Sequence, residues 1–401
     1  MLERLTLFML FVLFLTGCQG QRYATAFTYR LHSPQNDGQF STLHTMPDGA
    51  LLMVSKRGEQ PRQIWNLLRI AAWDTSQPRE DKLDVDVGPN DELVGWGSGT
   101  FQPDRYDRND QLLMDPGGNY LVVRLSQSAD LWKYQSDEPA KLQRTVLNII
   151  DLHGFKLLRR VAITDPLQGA GDMGFTPKGA LLVSGLQEKS SATVGGKVNH
   201  TSQYALETLS LPGLEPKTVC RYTMVFSPYS PQNPSTPEEF KRMEEENRKE
   251  VERQQTQEQA AEKACGPKLA PLGFSSLDDV RKNFTVLGRL GYIADYSQRV
   301  LPQSPSGCEF EDMSEDRQYE LYDCDESRAG IVFLTWYRGF RVFRLEDGKQ
   351  IMNLKLPHNP VLPEPILFHV PWFSGVLATG RGVTYAVLLR DGAELDGYRM
   401  P

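Results

Sequence analysis

Three stretches of the chain repeat one arrangement of polar and apolar positions: a proline, one variable residue, a glycine, then an apolar run. They are Met46-Pro47-Asp48-Gly49 before Ala50–Val54, Asp115-Pro116-Gly117-Gly118 before Tyr120–Val123, and Thr176-Pro177-Lys178-Gly179 before Ala180–Val183. Proline presets φ at the start of a turn, and glycine accepts the left-handed position that closes it. Each stretch therefore predicts a hairpin turn feeding a short buried strand. A second kind of turn signal recurs downstream, at Asp151–Gly154, Pro212-Gly213, Asp347-Gly348 and Asp391-Gly392. One turn of each kind per unit gives two hairpins, hence four strands. Pro47, Pro116 and Pro177 space these units 69 and 61 residues apart.

A single small twisted sheet cannot bury both its faces. Packing such sheets radially does so, and closing the ring removes most free edges. Four-stranded repeats of this size predict an all-β chain with β-propeller architecture, six blades being favoured and seven remaining open. The pattern resembles the broad class of WD-repeat and quinoprotein-like propellers. Only Trp73-Asp74 matches the WD dipeptide, and the Gly-His partner and the tryptophan-docking pattern are absent. The propeller is expected over 23–401. Pro365–Met400 reads as a full set of four strands, and Tyr23–Leu31 as an extra strand that closes the ring.

One segment breaks the period, a charged helical insertion over 227–264. Ser227–Pro237 is rich in Ser and Pro, as a loop is. Thr236-Pro237-Glu238-Glu239 then has the cap, first-turn proline and third-position glutamate of a helix start. The run to Lys263 is charged on all sides, with Phe240, Met243 and Val251 as a thin apolar stripe, so a solvated helix outside the ring is expected.

Composition sharpens this picture. The chain has 401 residues, 40% hydrophobic and 24% charged, which fits a large globular core and excludes a disordered or collagen-like chain. Gly 33 and Pro 26 favour a turn-rich fold. With 44 Lys+Arg against 51 Asp+Glu the net charge is -7, which argues against nucleic acid as a partner, since phosphates need a basic face.

The N-terminus carries an address. Leu5–Leu15 is an unbroken apolar run, too short to cross a bilayer but suited to the core of a signal peptide. It ends in Leu15-Thr16-Gly17-Cys18, which resembles the lipobox of bacterial lipoproteins. The resemblance implies that 1–17 is a cleaved signal and that Cys18 is acylated. It implies a tether over 18–22 and, with Gln19 rather than Asp after the cysteine, an outer-membrane position facing the periplasm. Four further cysteines, Cys220, Cys265, Cys308 and Cys324, admit three pairings. The sequential one, Cys220–Cys265 and Cys308–Cys324, staples two local excursions and is preferred. Loop closure would contribute roughly 4 and 3 kcal/mol.

Catalytic signatures are absent: no G-x-S-x-G, H-E-x-x-H, Walker loop or strand-borne G-x-G-x-x-G. The six histidines are scattered, so no metal or cofactor is expected. Acidic residues between Cys308 and Cys324, such as Glu309, Glu311 and Asp312, could face a cation but lack ordered calcium-loop spacing. The most suggestive loop gathers Trp96, Phe101, Asp104, Arg105 and Tyr106, the mix of aromatic and polar groups that holds glycans or protein partners. The expected function is non-enzymatic binding or scaffolding at the membrane, through the lipid anchor, with an envelope protein or glycan as partner. The alternative is an enzyme, a glycan lyase, hydrolase or quinone-type dehydrogenase, with its site in the central funnel.

Overall fold

The computed structural model describes residues 23–32, 42–57, 64–86, 106–108, 111–129, 142–163, 172–194, 197–226, 236–280, 300–301, 305–329, 334–355, 374–390 and 392–401. Among these residues the fold is mostly β, arranged as five sheets whose strands follow one another as meanders.

The first sheet runs β2 (Thr42–Thr45), β3 (Leu51–Arg57), β4 (Ile64–Ala71) and β5 (Arg79–Val85). The second holds β7 (Gln111–Met114), β8 (Tyr120–Ala129), β9 (Leu142–Asp151) and β10 (Lys156–Ile163), with a short β6 (Tyr106–Arg108) also on β8. The third runs β11 (Asp172–Phe175), β12 (Leu181–Val194), β13 (Lys197–Ser210) and β14 (Glu215–Phe226). The fourth runs β15 (Cys308–Met313), β16 (Tyr319–Ala329), β17 (Leu334–Arg344) and β18 (Gln350–Lys355). The fifth joins β19 (Ser374–Gly380), β20 (Val383–Arg390) and β21 (Glu394–Arg399) to the N-terminal β1 (Phe27–Arg30).

The described residues form five sheets. Of the stretch Pro365–Met400, residues 374–390 and 392–400 are described and hold three strands, and the strand expected over Tyr23–Leu31 is β1, which joins them antiparallel from Phe27↔Gly397 to Arg30↔Glu394. The C-terminal sheet thus has its outer edge covered from the other end of the chain.

The first turn of each sheet is where the sequence spoke most clearly. Gly49, Gly118 and Gly179 all take positive φ, at 78°, 72° and 80°. Each turn closes with a backbone pair, such as Thr176 N to Ala180 O at 2.8 Å and Gly179 N to Thr176 O at 2.9 Å. The fourth sheet has the same turn without the glycine: Arg317 N donates to Ser314 O at 2.8 Å, with Arg317 at φ 55°. The fifth uses a tight two-residue turn in which Arg381 and Gly382 both have positive φ.

The strands belong to two compact units, each with its own core. The first comprises Met1–Lys56, Leu67–Asp81 and Gly291–Pro401. In it the fifth sheet buries both faces, as period-two alternation requires. Val376, Ala378, Val387 and Leu389 pack with Leu43, Leu51, Met53, Leu68 and Ile70 of the first sheet. Leu377, Ala386 and Leu388 pack with Leu321, Phe340 and Val342 of the fourth. Side chains stitch the leading strands together: Leu43 N donates to Ser374 Oγ at 3.1 Å, and Leu377 N to Asp312 Oδ2 at 2.8 Å.

The second unit comprises Arg57–Asn66 and Lys82–Leu290. Leu113, Val122, Leu147 and Ile149 of its first sheet meet Phe175, Leu181, Val183 and Ala205 of the next. The other face of β12–β14, through Leu182, Leu206 and Cys220, is covered by a helix, α1 (Pro237–Leu269).

The start of α1 is as expected, with Thr236 as N-cap, a complete capping box and proline in the first turn. Its end is not. The helix continues past Lys263 to Leu269, and Ala261, Cys265 and Leu269 are buried. Gln257 Oε1 accepts from Val225 N at 2.6 Å, which holds the middle of the helix to the end of β14. From Pro237 to Ala260 no helix residue is buried, Phe240 being 48% and Val251 51% exposed, so the solvated description fails only in the last turns. The physical reason is the spacing of Ala261, Cys265 and Leu269: four residues apart, they form one stripe facing the sheet.

Candidate functional site

Both cysteine pairs lie at bonding distance. Cys220 of β14 and Cys265 of α1 have sulfurs 2.20 Å apart, and Cys308 and Cys324, directly opposed across β15 and β16, have sulfurs 2.08 Å apart. The first tie fixes the exit of α1. Gly273, just beyond it, lies so close to the β11–β12 turn that a methyl group there would sit 3.0 Å from Pro177 Cβ.

That turn is one wall of an open cleft of about 670 Å³. The β7–β8 turn forms a second wall through Asp115 to Tyr120, and the β13–β14 turn a third through Ser210, Leu211 and Glu215. Asp115 is buried and occupied by its own turn: Oδ1 accepts Gly117 N at 2.9 Å, and Oδ2 accepts Asn119 N at 3.1 Å and Asn119 Nδ2 at 3.0 Å. A carboxylate so satisfied is a turn organiser rather than an acid or base. Gly179 is required beside it, because a methyl group there would meet Asp115 Oδ1 at 3.1 Å.

The third wall is pinned from below by Arg159 of β10, whose Nη1 donates to Gly213 O at 2.7 Å. Ser210 Oγ donates to Glu215 Oε2 at 2.5 Å. Lys178 and Lys217 line the same cleft, and both are exposed. The chemistry offered is two ammonium groups, one carboxylate and turn hydroxyls around a partly apolar floor that includes Leu181 and Leu209. Such a surface can hold a polar or anionic ligand; it presents no nucleophile paired with a base.

The sequence singled out other residues. Cys18, Trp96, Phe101, Asp104 and Arg105 lie outside the described residues. Tyr106 opens β6, its backbone paired with Ala129 of β8. Among the described residues no group of three or more His, Cys, Asp or Glu side chains could hold a metal ion. The acidic stretch between Cys308 and Cys324 is split by a bulge at Glu311, after which Asp312 turns to Leu377 N. Burial pushes the Asp312 carboxyl up to about 7, against the opposing effect of the Leu377 and Met313 amides.

The comparisons name no family. No family model matches the chain, and no curated protein matches it either. Among solved structures, a putative glycoside hydrolase from Bacteroides ovatus aligns over 94% of this chain and 96% of its own, at 9% identity and a TM-score of 0.26. The β-propeller domain of the Trilobed protease from Pyrococcus furiosus aligns over 88% and 78%, at 7% identity and a TM-score of 0.20. At those scores neither fold nor activity carries over to this chain.

The sequence reading missed the cleft. Its walls are the turns that reading identified, but turn signals do not tell which loops adjoin. Lys178 was in view as the variable residue of the third Pro-x-Gly turn, and Lys217 carried no signal at all.

Proposed function

We propose that the chain is a lipid-anchored, periplasm-facing binding module of the bacterial cell envelope, built as a β-propeller of six blades, the five described sheets among them. The cleft framed by Asp115–Tyr120, Pro177–Leu181 and Thr208–Lys217 carries the binding reading: it is open, turn-lined, and has charged groups at its rim. Support for a ring comes from the first unit. There the last sheet packs on the first and borrows its edge strand from the N-terminus, contacts that an open row of sheets would not need. Support for the compartment comes from two disulfides in a chain that starts with a signal-like run and a lipobox. β1 begins nine residues after Cys18, so an acylated Cys18 would hold the body close to the bilayer.

Two measurements test this reading. Metabolic fatty-acid labelling should mark the wild-type chain and not Cys18→Ala, which should leave the detergent phase. Affinity capture of the tagged chain from solubilised envelopes should recover a partner that is lost from the Lys178→Glu/Lys217→Glu variant at unchanged melting temperature. Labelling with no fatty acid would sink the anchor, and a partner retained by the double variant would sink the cleft.

A further inference from the structure

The two compact units treat one kind of space differently. In the second unit the cleft lies among the first turn of one sheet, β7–β8, and the first and third turns of the next, β11–β12 and β13–β14. The corresponding turns of the first unit are β19–β20, β2–β3 and β4–β5. Two glycines mark the correspondence. A methyl group at Gly179 would meet Asp115 Oδ1 at 3.1 Å, and one at Gly49 would meet Thr379 O at 3.9 Å. In the first unit the space is filled. Trp73 is buried there and donates from Nε1 to Gly49 O at 2.8 Å, and a methyl group at Gly380 would lie 2.8 Å from Asp74 Cβ. The β13–β14 turn carries Leu211, Pro212 and Gly213 instead, none as large as Trp73. The space stays open, at about 670 Å³, which is the size of a small-ligand site.

The negative groups of its walls are already engaged. Asp115 accepts three N–H bonds from its own turn, and Glu215 accepts Ser210 Oγ. The Pro212 and Gly213 carbonyls both accept Arg159 Nη1. Lys178 of the β11–β12 turn and Lys217 of β14 have no ion-pair partner among the described residues. The charge left to recruit a ligand is therefore positive. Around it the cleft presents the leucine floor, the half-buried Tyr120 and the Thr208 hydroxyl.

We propose that the ligand of this cleft is an acidic saccharide, with its carboxylate on Lys178 and Lys217 and a sugar face laid against Tyr120, Leu181 and Leu209. The inference rests on the reading of the cleft as the binding site and names what enters it. Ammonium–carboxylate bonds are the strong, charge-assisted kind. An extended peptide that adds to a sheet needs a free strand edge. The cleft offers none at its floor: Leu181, Thr208 and Leu209 lie on strands paired on both sides, and Pro216, opposite Leu209, has no N–H. A saccharide needs no edge. Its ring gives a C–H face to apolar and aromatic side chains and hydroxyls to polar ones, the mixture that lines this cleft.

The test is calorimetric titration of the detergent-solubilised full-length chain with oligogalacturonate and hyaluronan fragments, each beside its neutral, carboxyl-reduced counterpart. At least one acidic fragment should bind, its neutral counterpart should bind about tenfold or more weakly, and added salt should weaken the acidic one. Lys178→Gln and Lys217→Gln should each lose several-fold in affinity at unchanged melting temperature, and Lys178→Arg should lose less. Oligoglutamate should not compete. Binding of neither acidic fragment, equal binding of the neutral counterpart, or oligoglutamate binding as tightly as the sugars would overturn the proposal. If the envelope partner is still lost from Lys178→Glu/Lys217→Glu in that case, the cleft stands and only the saccharide falls.

Discussion

Asp312, on the leading strand of the fourth sheet, accepts the backbone N–H of Leu377, on the leading strand of the fifth, at 2.8 Å. The bond is aimed by the β-bulge at Glu311, which turns the next residue toward the neighbouring sheet. A carboxyl held in this seam is better neutral, and burial pushes its pKa up to about 7.

A pH dependence follows from that bond. The native pKa lies above the ordinary carboxylate value of 3.8. The folded chain therefore binds more protons between about 4 and 7, and Asp312 lowers stability as pH rises through that window. Asp312→Asn keeps an acceptor for Leu377 and cannot ionise. Urea midpoints should show the variant close to wild type at pH 4 and more stable at pH 8. An equal difference at both values would remove Asp312 from the account.

His44 acts with the opposite sign. Its Nε2 is buried with no hydrogen-bond partner among the described residues, and burial lowers its pKa from 6.5 to about 4. The unfolded chain binds the extra proton here, so this group's contribution is intact above about 6.5 and is lost as pH falls toward 4. The advantage of His44→Leu over wild type should therefore grow as pH falls from 7 to 5, while that of Asp312→Asn should shrink over the same interval. Since the two slopes oppose each other in the wild type, single variants are needed to expose either one.

The turns show how much of the fold the sequence made readable. Pro-x-Gly marked the leading hairpins of the first three sheets. The fourth was hidden because Arg317 holds the left-handed position that glycine signals elsewhere. In the fifth, the N-terminal strand expected over Tyr23–Leu31 is β1, paired with β21 from Phe27↔Gly397 to Arg30↔Glu394, and Thr28 Oγ1 also donates to Asp396 Oδ1 at 2.7 Å. Sequence pattern reports local geometry; the pairing of the chain ends was legible only as a strand-like run at Tyr23–Leu31, without its register. The buried stripe of α1 was legible as Ala261, Cys265 and Leu269, but the charged residues around it set the reading. Of the aromatic loop, only Tyr106–Arg108 falls among the described residues.

Arg317 gives a stability prediction. A non-glycine residue in the left-handed region costs about 1 kcal/mol. Arg317→Gly should relieve that cost and raise stability slightly, whereas Gly179→Ala, at φ 80° and against Asp115 Oδ1, should lower it by about 1–2 kcal/mol, both read from denaturant unfolding. Matching losses at both positions would contradict the shared turn geometry.

The helix should divide functionally along its length. Replacing the exposed first turns from Glu238 to Arg248 with a Gly/Ser linker should leave the melting temperature nearly unchanged. Leu269→Ala, in the buried stripe, should cost about 2–5 kcal/mol. Removing the Cys220–Cys265 bond should cost about 2–5 kcal/mol as well. Thermal unfolding of the oxidised variants measures all three, and a large loss from the first replacement would place the early turns in the core.

The joint between chain ends makes the sharpest test, because two of its residues exclude each other. Phe27 of β1 packs with Trp73 at 5.5 Å and Tyr385 at 5.9 Å between ring centroids, and Trp73 Nε1 donates to Gly49 O at 2.8 Å. Gly397, directly opposite on β21, has no room for a side chain: a methyl group there would overlap the Phe27 ring. Gly397→Ala must therefore push Phe27 out of the joint and lose much of what Phe27→Ala loses, which for this half-buried ring lies below the about 3–5 kcal/mol of a fully buried aromatic. The double variant should be little worse than Phe27→Ala alone, since the clash disappears with the ring. Denaturant unfolding of the four chains gives the coupling directly. Additive losses would mean that Phe27 and Gly397 act independently, and that β1 does not seat against β21 in the way its register requires.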